Sequence, residues 1–163
     1  MTSTNSKPNL ILVSTPIGNM DDISLRAIQA CREADRILCE DTRVSRKLLK
    51  KYNIETKLSS YHEHNAQKIR PEIIRDLETG AQIVLISDAG TPLISDPGYQ
   101  LVRACIDNEI QVSSVPGPTA LITALAVSGL PPDTFYFGGF LPSKKATRQK
   151  IFSEKVELKT TLI

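Results

Sequence analysis

The sequence predicts an α/β protein: a mostly parallel sheet flanked by helices, followed by the start of a second α/β domain. Three observations predict it. Short apolar runs alternate with amphipathic segments of helical spacing, the pattern of βαβ units. One run, Ile83-Val84-Leu85-Ile86, is apolar at every position, as a strand covered on both faces requires. Three of the runs end in loops of Gly, Pro and small polar residues, and an open parallel sheet binds ligands at such strand ends.

Leu10-Ile11-Leu12-Val13 reads as a buried strand closed by the turn Ser14-Thr15-Pro16-Ile17-Gly18-Asn19. Asp22 is the predicted cap of the next segment, where Leu25, Ile28 and Cys31 recur at helical spacing. Ile37-Leu38-Cys39 is the second strand. Thr42 to Tyr52 is a helix, with Leu48 and Leu49 inward and Arg43, Arg46, Lys47, Lys50 and Lys51 outward. Lys57 to Tyr61 is the third strand. Ile69, Ile73 and Leu77 mark a helix that Gly80 stops. After Ile83–Ile86 comes a long loop, Ser87 to Gly98, then a helix through Leu101, Val102, Cys105 and Ile106. Gln111 to Val115 is a strand, Pro116-Gly117-Pro118-Thr119-Ala120 a third small-residue loop, and Thr119 to Ser128 a helix of small and apolar residues.

The punctuation changes at Leu130-Pro131-Pro132-Asp133, which reads as a linker. Beyond it come a strand, Phe135 to Phe140, a basic loop and helix, and a last apolar strand, Thr160 to Ile163. Two strands and one helix are marginal alone. The expected organisation is a flexible tail over 1–9, an N-terminal α/β domain over 10–130, and the beginning of an incomplete second α/β domain over 131–163. A truncated chain is the expectation that follows.

Composition narrows the function classes. Of 163 residues, 40% are hydrophobic and 23% charged, which argues against a disordered, collagen-like or coiled-coil chain. No apolar run approaches the roughly 18–20 residues of a membrane span. The net charge of +2 is too small to signal nucleic-acid binding by itself. Cys31, Cys39 and Cys105 are odd in number and lack a Cys-x-x-Cys spacing, so neither a disulfide framework nor a zinc site is expected. Buried thiols and a start without a secretory pattern predict a cytoplasmic protein. No dinucleotide-binding or P-loop glycine pattern follows a strand.

The loop segments carry a resemblance. Val13 to Asn19, Glu40-Asp41-Thr42-Arg43, Tyr61-His62-Glu63-His64-Asn65, Ser87 to Gly98, Val115 to Ala120 and Gly138 to Lys144 together resemble the tetrapyrrole methylase superfamily. Within it the chain is most similar to the ribosomal RNA small-subunit methyltransferase I branch. Corrin and porphyrin-precursor methylases carry a Gly-rich turn after the first strand and a Gly-Asp-Pro; here those places read Ser14-Thr15-Pro16-Ile17-Gly18-Asn19 and Gly90-Thr91-Pro92. The resemblance implies S-adenosyl-L-methionine as cofactor and a cytidine ribose 2′-hydroxyl of small-subunit ribosomal RNA, or the 30S subunit, as substrate. It also implies a homodimer with no membrane partner. The implied cofactor positions are Pro16, Ile17, Asp88, Ala89, Gly90, Thr91, Ile94, Thr119 and Ala120. A tetrapyrrole methylase, or an inactive fragment that binds cofactor or RNA, are the alternatives.

The residues themselves leave the catalytic group open. A 2′-hydroxyl needs a proton acceptor, and Glu40, Asp41, His62, Glu63 and His64 lie near predicted strand ends. Glu40-Asp41 also reads as a carboxylate pair at a helix N-terminus. On a strand His62 and His64 would face the same side, but no third ligand at metal spacing accompanies them. Lys144, Lys145, Arg148 and Lys150 are four bases in seven residues, a phosphate-contact candidate beside an RNA-directed resemblance. The RNA-contact candidates are thus Glu40, Asp41, Arg43, His62, His64, Asn65, Lys144, Lys145 and Arg148. Aromatic residues, at 5%, are too few to suggest base stacking of the RRM kind.

Overall fold

The computed structural model describes residues 9–163. The expected tail therefore lies outside the described residues except for Asn9, which is tied into the sheet. Its N–H donates to the Gln111 carbonyl at 3.2 Å, and its carbonyl accepts from the Ile83 N–H at 2.8 Å. The chain divides into two compact units, the second running from Thr119 to Ile163. The division falls ahead of the small-residue helix, not behind it at the Pro131-Pro132 linker.

The first unit contains β1 (Leu10–Val13), α1 (Leu25–Glu33), β2 (Arg36–Cys39), α2 (Thr42–Lys51), β3 (Leu58–Ser60), α3 (Glu63–Glu78), β4 (Ile83–Ile86), α4 (Tyr99–Asp107) and β5 (Val112–Val115). The sheet order is β3-β2-β4-β1-β5 and every pairing is parallel. β1 lies in register with β4, from Leu10 opposite Ile83 to Val13 opposite Ile86. Alternation along the strands feeds two cores. Val13, Ile37, Val84 and Ile86 pack with Ile28 and Cys31 of α1 and Leu48 and Leu49 of α2. Leu10, Leu38, Ile83 and Leu85 pack with Ile73 and Leu77 of α3 and Leu101 and Cys105 of α4. β4 lies between β2 and β1, and all four of its residues are buried, which is why its sequence has no polar face.

Local chemistry sets the helix starts. Asn19, not Asp22, opens the first helical turn: its carboxamide accepts from the Asp21 N–H, and Met20–Asp22 form a short 3-10 helix. α1 then begins at Ser24, whose hydroxyl accepts from the Ala27 N–H at 3.1 Å. This corrects the predicted Asp22 cap. α3 starts at Glu63, far ahead of its first periodic apolar residue, Ile69, and runs through Pro71. At the amino end of the strands, Arg36 fastens β2 to its neighbours. Its guanidinium reaches Glu72 at 2.8 Å and Asp76 at 3.4 Å on α3, and the Ser59 hydroxyl on β3 at 2.9 Å. All three cysteines are free and buried. Burial pushes the Cys31 thiol up to about 12 and that of Cys105 up to about 11.

The second unit holds α5 (Ala120–Val127), β6 (Phe135–Tyr136), α6 (Lys145–Lys155) and β7 (Thr161–Leu162). β6 and β7 pair in parallel, Phe135 opposite Thr161 and Tyr136 opposite Leu162. The strand predicted over Phe135 to Phe140 is thus only two residues long, and the Thr161 hydroxyl donates to the Pro131 carbonyl at 2.7 Å. Large side chains stay outside: Val127 is 82% and Phe140 88% exposed. Among the described residues no helix is long and apolar enough to cross a membrane.

The capping assignment has a direct test. Ser24→Ala removes the acceptor for the Ala27 N–H and should cost about 1 kcal/mol in urea unfolding. Asp22→Ala should stay within about 0.5 kcal/mol of wild type.

Candidate functional site

Because β4, β1 and β5 are adjacent and parallel, their following loops emerge side by side at one sheet edge. The loops after β1 and β4 are stitched together by backbone. The Thr15 N–H donates to the Gly90 carbonyl at 2.9 Å, and the Gly90 N–H donates to the Thr15 carbonyl at 3.0 Å. Side chains repeat the join. The buried Thr15 hydroxyl donates to the Ser87 carbonyl at 3.0 Å, and the buried Ser87 hydroxyl donates to the Gly90 carbonyl at 2.9 Å. The Ser14 and Thr91 hydroxyls share a hydrogen bond of 3.0 Å, and Thr91 also donates to the Pro118 carbonyl at 3.4 Å.

Glycine is demanded at two of these positions. Gly90 has φ +85°, in the left-handed region, with Ile17 Cγ2 3.5 Å from where a Cβ would stand. At Gly117 a Cβ would stand 2.9 Å from Ser14 Cβ, so the third loop approaches the first as closely as atoms allow. Leu93 and Ser95 adopt positive φ, at 74° and 62°, without being glycine. Such backbone is held only where surrounding contacts over-determine it. The predicted cofactor positions of the first unit thus sit together. Thr91 and Ile17 are half-buried, Gly90 is buried, and Ala89 and Ile94 are exposed. Pro16 and Asp88 line a cavity of about 130 Å³ with Ser87, Val44 and Leu48. Thr119 and Ala120 belong to the second unit, as the N-cap and first residue of α5.

A second, polar cavity of about 470 Å³ opens among the ends of β2, β3 and the β4 loop. Glu40, His62, Glu63, His64, Ser95 and Asp96 line it. It gathers three of the predicted substrate candidates. The strand arrangement considered for His62 and His64 does not occur: His62 is the N-cap of α3 and His64 lies in its first turn. Their ring centroids are 5.9 Å apart. Asp96 carries no signal in the sequence beyond its place in the long loop, and the fold of that loop alone brings it here. Burial raises its carboxyl above the ordinary aspartate value, and the charges of Glu40 and Asp88 push the same way, with Ser87 opposing.

Several predicted contacts are committed to the protein itself. Asp41 caps α2, accepting from the Arg43 N–H at 2.8 Å, and its carboxylate pairs with the Arg43 guanidinium at 2.6 Å. Those bonds hold the Asp41 carboxyl down at about 2. The Asp41 N–H donates to Asp88 at 3.2 Å, linking the α2 start to the second loop. Asn65 accepts from the His62 N–H at 2.9 Å and donates to the Ser60 carbonyl at 3.1 Å, which fixes the β3–α3 turn. Arg148 donates to the Pro142 carbonyl at 3.1 Å and the Ser143 carbonyl at 2.5 Å. Lys144 and Lys145 are exposed at the start of α6.

The first unit is a parallel three-layer α/β domain with stitched small-residue loops at its carboxyl edge. The chain belongs to the tetrapyrrole (corrin/porphyrin) methylase family, whose model matches residues 9–162. It is 54% identical over 157 residues to the Ribosomal RNA small subunit methyltransferase I of Rickettsia prowazekii, covering 96% of this chain and 56% of that protein. To the protein of the same name from Halalkalibacterium halodurans it is 50% identical over 159 residues, 98% of this chain and 55% of that one. The chain thus spans about half the length of these curated relatives. Among solved structures it resembles a diphthine synthase with TM-score 0.70 at 12% identity, over 94% of this chain and 61% of that one. A uroporphyrin-III-C-methyltransferase from Thermus thermophilus gives TM-score 0.58 at 20% identity, over 80% and 59%. These two show the fold.

The stitching is testable without any ligand. Thr15→Val keeps the side-chain shape but leaves the buried Ser87 carbonyl without its hydroxyl donor. Urea unfolding should show a loss of about 1–3 kcal/mol.

Proposed function

We propose that the chain holds S-adenosyl-L-methionine on its stitched loops and, as part of a methyltransferase, directs the methyl group to a cytidine 2′-hydroxyl of small-subunit ribosomal RNA. The observation that carries this reading is the set of relatives, 47–57% identical, that bear the name Ribosomal RNA small subunit methyltransferase I. The residues fit such a cofactor. Exposed Ala89 adds little side-chain bulk, Ile17 and Ile94 offer apolar contact, and Thr91 has a hydroxyl at the junction of three loops. Because Ser14, Thr15 and Ser87 already satisfy the polar groups beneath, little ordering is left to be done on binding.

When bound, the cofactor supplies a methyl group on a sulfonium, whose departure needs no acid. What is left for the protein is orientation of the two reactants and removal of a proton. The polar cavity beside the loops is the proposed place of the nucleoside, with Glu40, His62 and His64 as its walls. Exposed Lys144 and Lys145 are the proposed phosphate contacts, with Arg43 a further candidate. Arg148 shapes the Pro142-Ser143 loop in this reading. A cytoplasmic homodimer completes the proposal, by likeness to the family.

Two measurements on the full gene product test it. Thr91→Arg should weaken S-adenosylhomocysteine binding at least tenfold in calorimetry, about 1.4 kcal/mol. Unchanged affinity would place the cofactor elsewhere. Lys144→Ala with Lys145→Ala should flatten the salt dependence of RNA binding by about 0.7 in log–log slope per lost phosphate contact. An unaltered slope would make the start of α6 an ordinary solvated surface.

A further inference from the structure

The polar cavity is built for a different part of a nucleotide than its phosphate. Three of its lining side chains are carboxylates, Glu40, Glu63 and Asp96, and none is lysine or arginine. Such walls repel a phosphate and accept hydrogen bonds from hydroxyl and amino groups. Cytosine offers an exocyclic amine of that kind, and ribose offers hydroxyls. At about 470 Å³ the space lies within the ordinary range of small-ligand sites.

The carboxylates are not equivalent. Glu40 and Glu63 are exposed, so water solvates their charge. Asp96 is half-buried and lies in the same loop as Thr91 and Gly90. It is also beside Ser87, whose hydroxyl anchors the Gly90 carbonyl. It therefore belongs at once to the polar cavity and to the loop cluster proposed to hold the methyl donor. We propose that Asp96 is the catalytic residue that takes the proton from the ribose 2′-hydroxyl of a nucleoside seated in this cavity.

This inference rests on the methyltransferase reading given above. The proton passes from the hydroxyl to the Asp96 carboxylate as the ribose oxygen bonds to the methyl carbon. The bond from that carbon to sulfur breaks, and the sulfur keeps the electron pair and leaves uncharged. Asp96 then returns the proton to water. The environment suits the role. Burial favours the protonated form, as do the negative charges of Glu40 at the end of β2 and Asp88 in its own loop, while the Ser87 hydroxyl favours the charged form. His62, Glu63 and His64 face the same cavity from α3. A carboxylate with a raised proton affinity is a stronger base at neutral pH than a solvated one.

The test uses the full gene product, with single-turnover methyl transfer to small-subunit RNA, calorimetry of S-adenosylhomocysteine, and NMR titration of the Asp96 carboxyl. Asp96→Asn should slow transfer at least 100-fold and leave the affinities for S-adenosylhomocysteine and RNA within twofold of wild type. Glu40→Gln removes a negative neighbour, so the Asp96 titration midpoint should move to lower pH, and the acid limb of the transfer rate should move with it. If Asp96→Asn fails to fold, shown by loss of cofactor binding, the Glu40→Gln shift decides. Transfer within threefold of wild type in folded Asp96→Asn overturns the assignment, as does an acid limb that ignores the Asp96 titration. Wild-type protein that binds S-adenosylhomocysteine but methylates no RNA overturns the methyltransferase reading, and the role of Asp96 falls with it.

Discussion

The reciprocal hydrogen bonds between Thr15 and Gly90 are the constraint on which the site depends. β1 and β4 lie in register, so their carboxyl ends are level and their loops leave at the same height. Two loops of small residues leaving side by side have little side-chain mass to hold them apart or together. The backbone exchange, doubled by the Thr15 and Ser87 hydroxyls, converts them into one surface. Every polar atom used in the join is satisfied within the protein, so the join can be buried without leaving an unpaired donor or acceptor.

Much of this was legible in the sequence because burial leaves a simple trace. Ile83 to Ile86 has no polar residue because β4 has no exposed face. The three small-residue loops were found as breaks after apolar runs, and the parallel order explains why they meet. What escaped depends on contacts between distant residues or on local competition among similar side chains. Asn19, Asp22 and Ser24 are all good caps, and only the geometry of the intervening turn assigns the roles. The start of α3 was hidden because Glu63 to Lys68 has no apolar stripe, so the sequence left His62 and His64 near a strand end without assigning them to a helix. Asn65 and Arg148 look like surface contacts until their backbone partners are seen. Asp96 owes its setting to the fold of a loop with two positive-φ residues, Leu93 and Ser95, which no periodicity reports.

The polar cavity holds carboxylates, while α2 carries five cations and no acid. Two of those cations are answered within the unit, Arg43 by Asp41 and Lys51 by Asp21. Arg46, Lys47 and Lys50 share one exposed side of the helix, where like charges one turn apart repel.

The strand order also sets when the sheet can form. β2 and β3 pair with only α2 between them. β1 has no such near neighbour: its partners are β4 and β5, and β4 must enter between β1 and β2. A ribosome delivering this chain from its N-terminus thus releases Leu10-Ile11-Leu12-Val13 long before Ile83 exists to receive it. At ordinary synthesis speeds that apolar strand waits for seconds without a partner. The earliest-made strand of this sheet is therefore among the last to be secured, and β4, once it arrives, joins both halves of the sheet in one step.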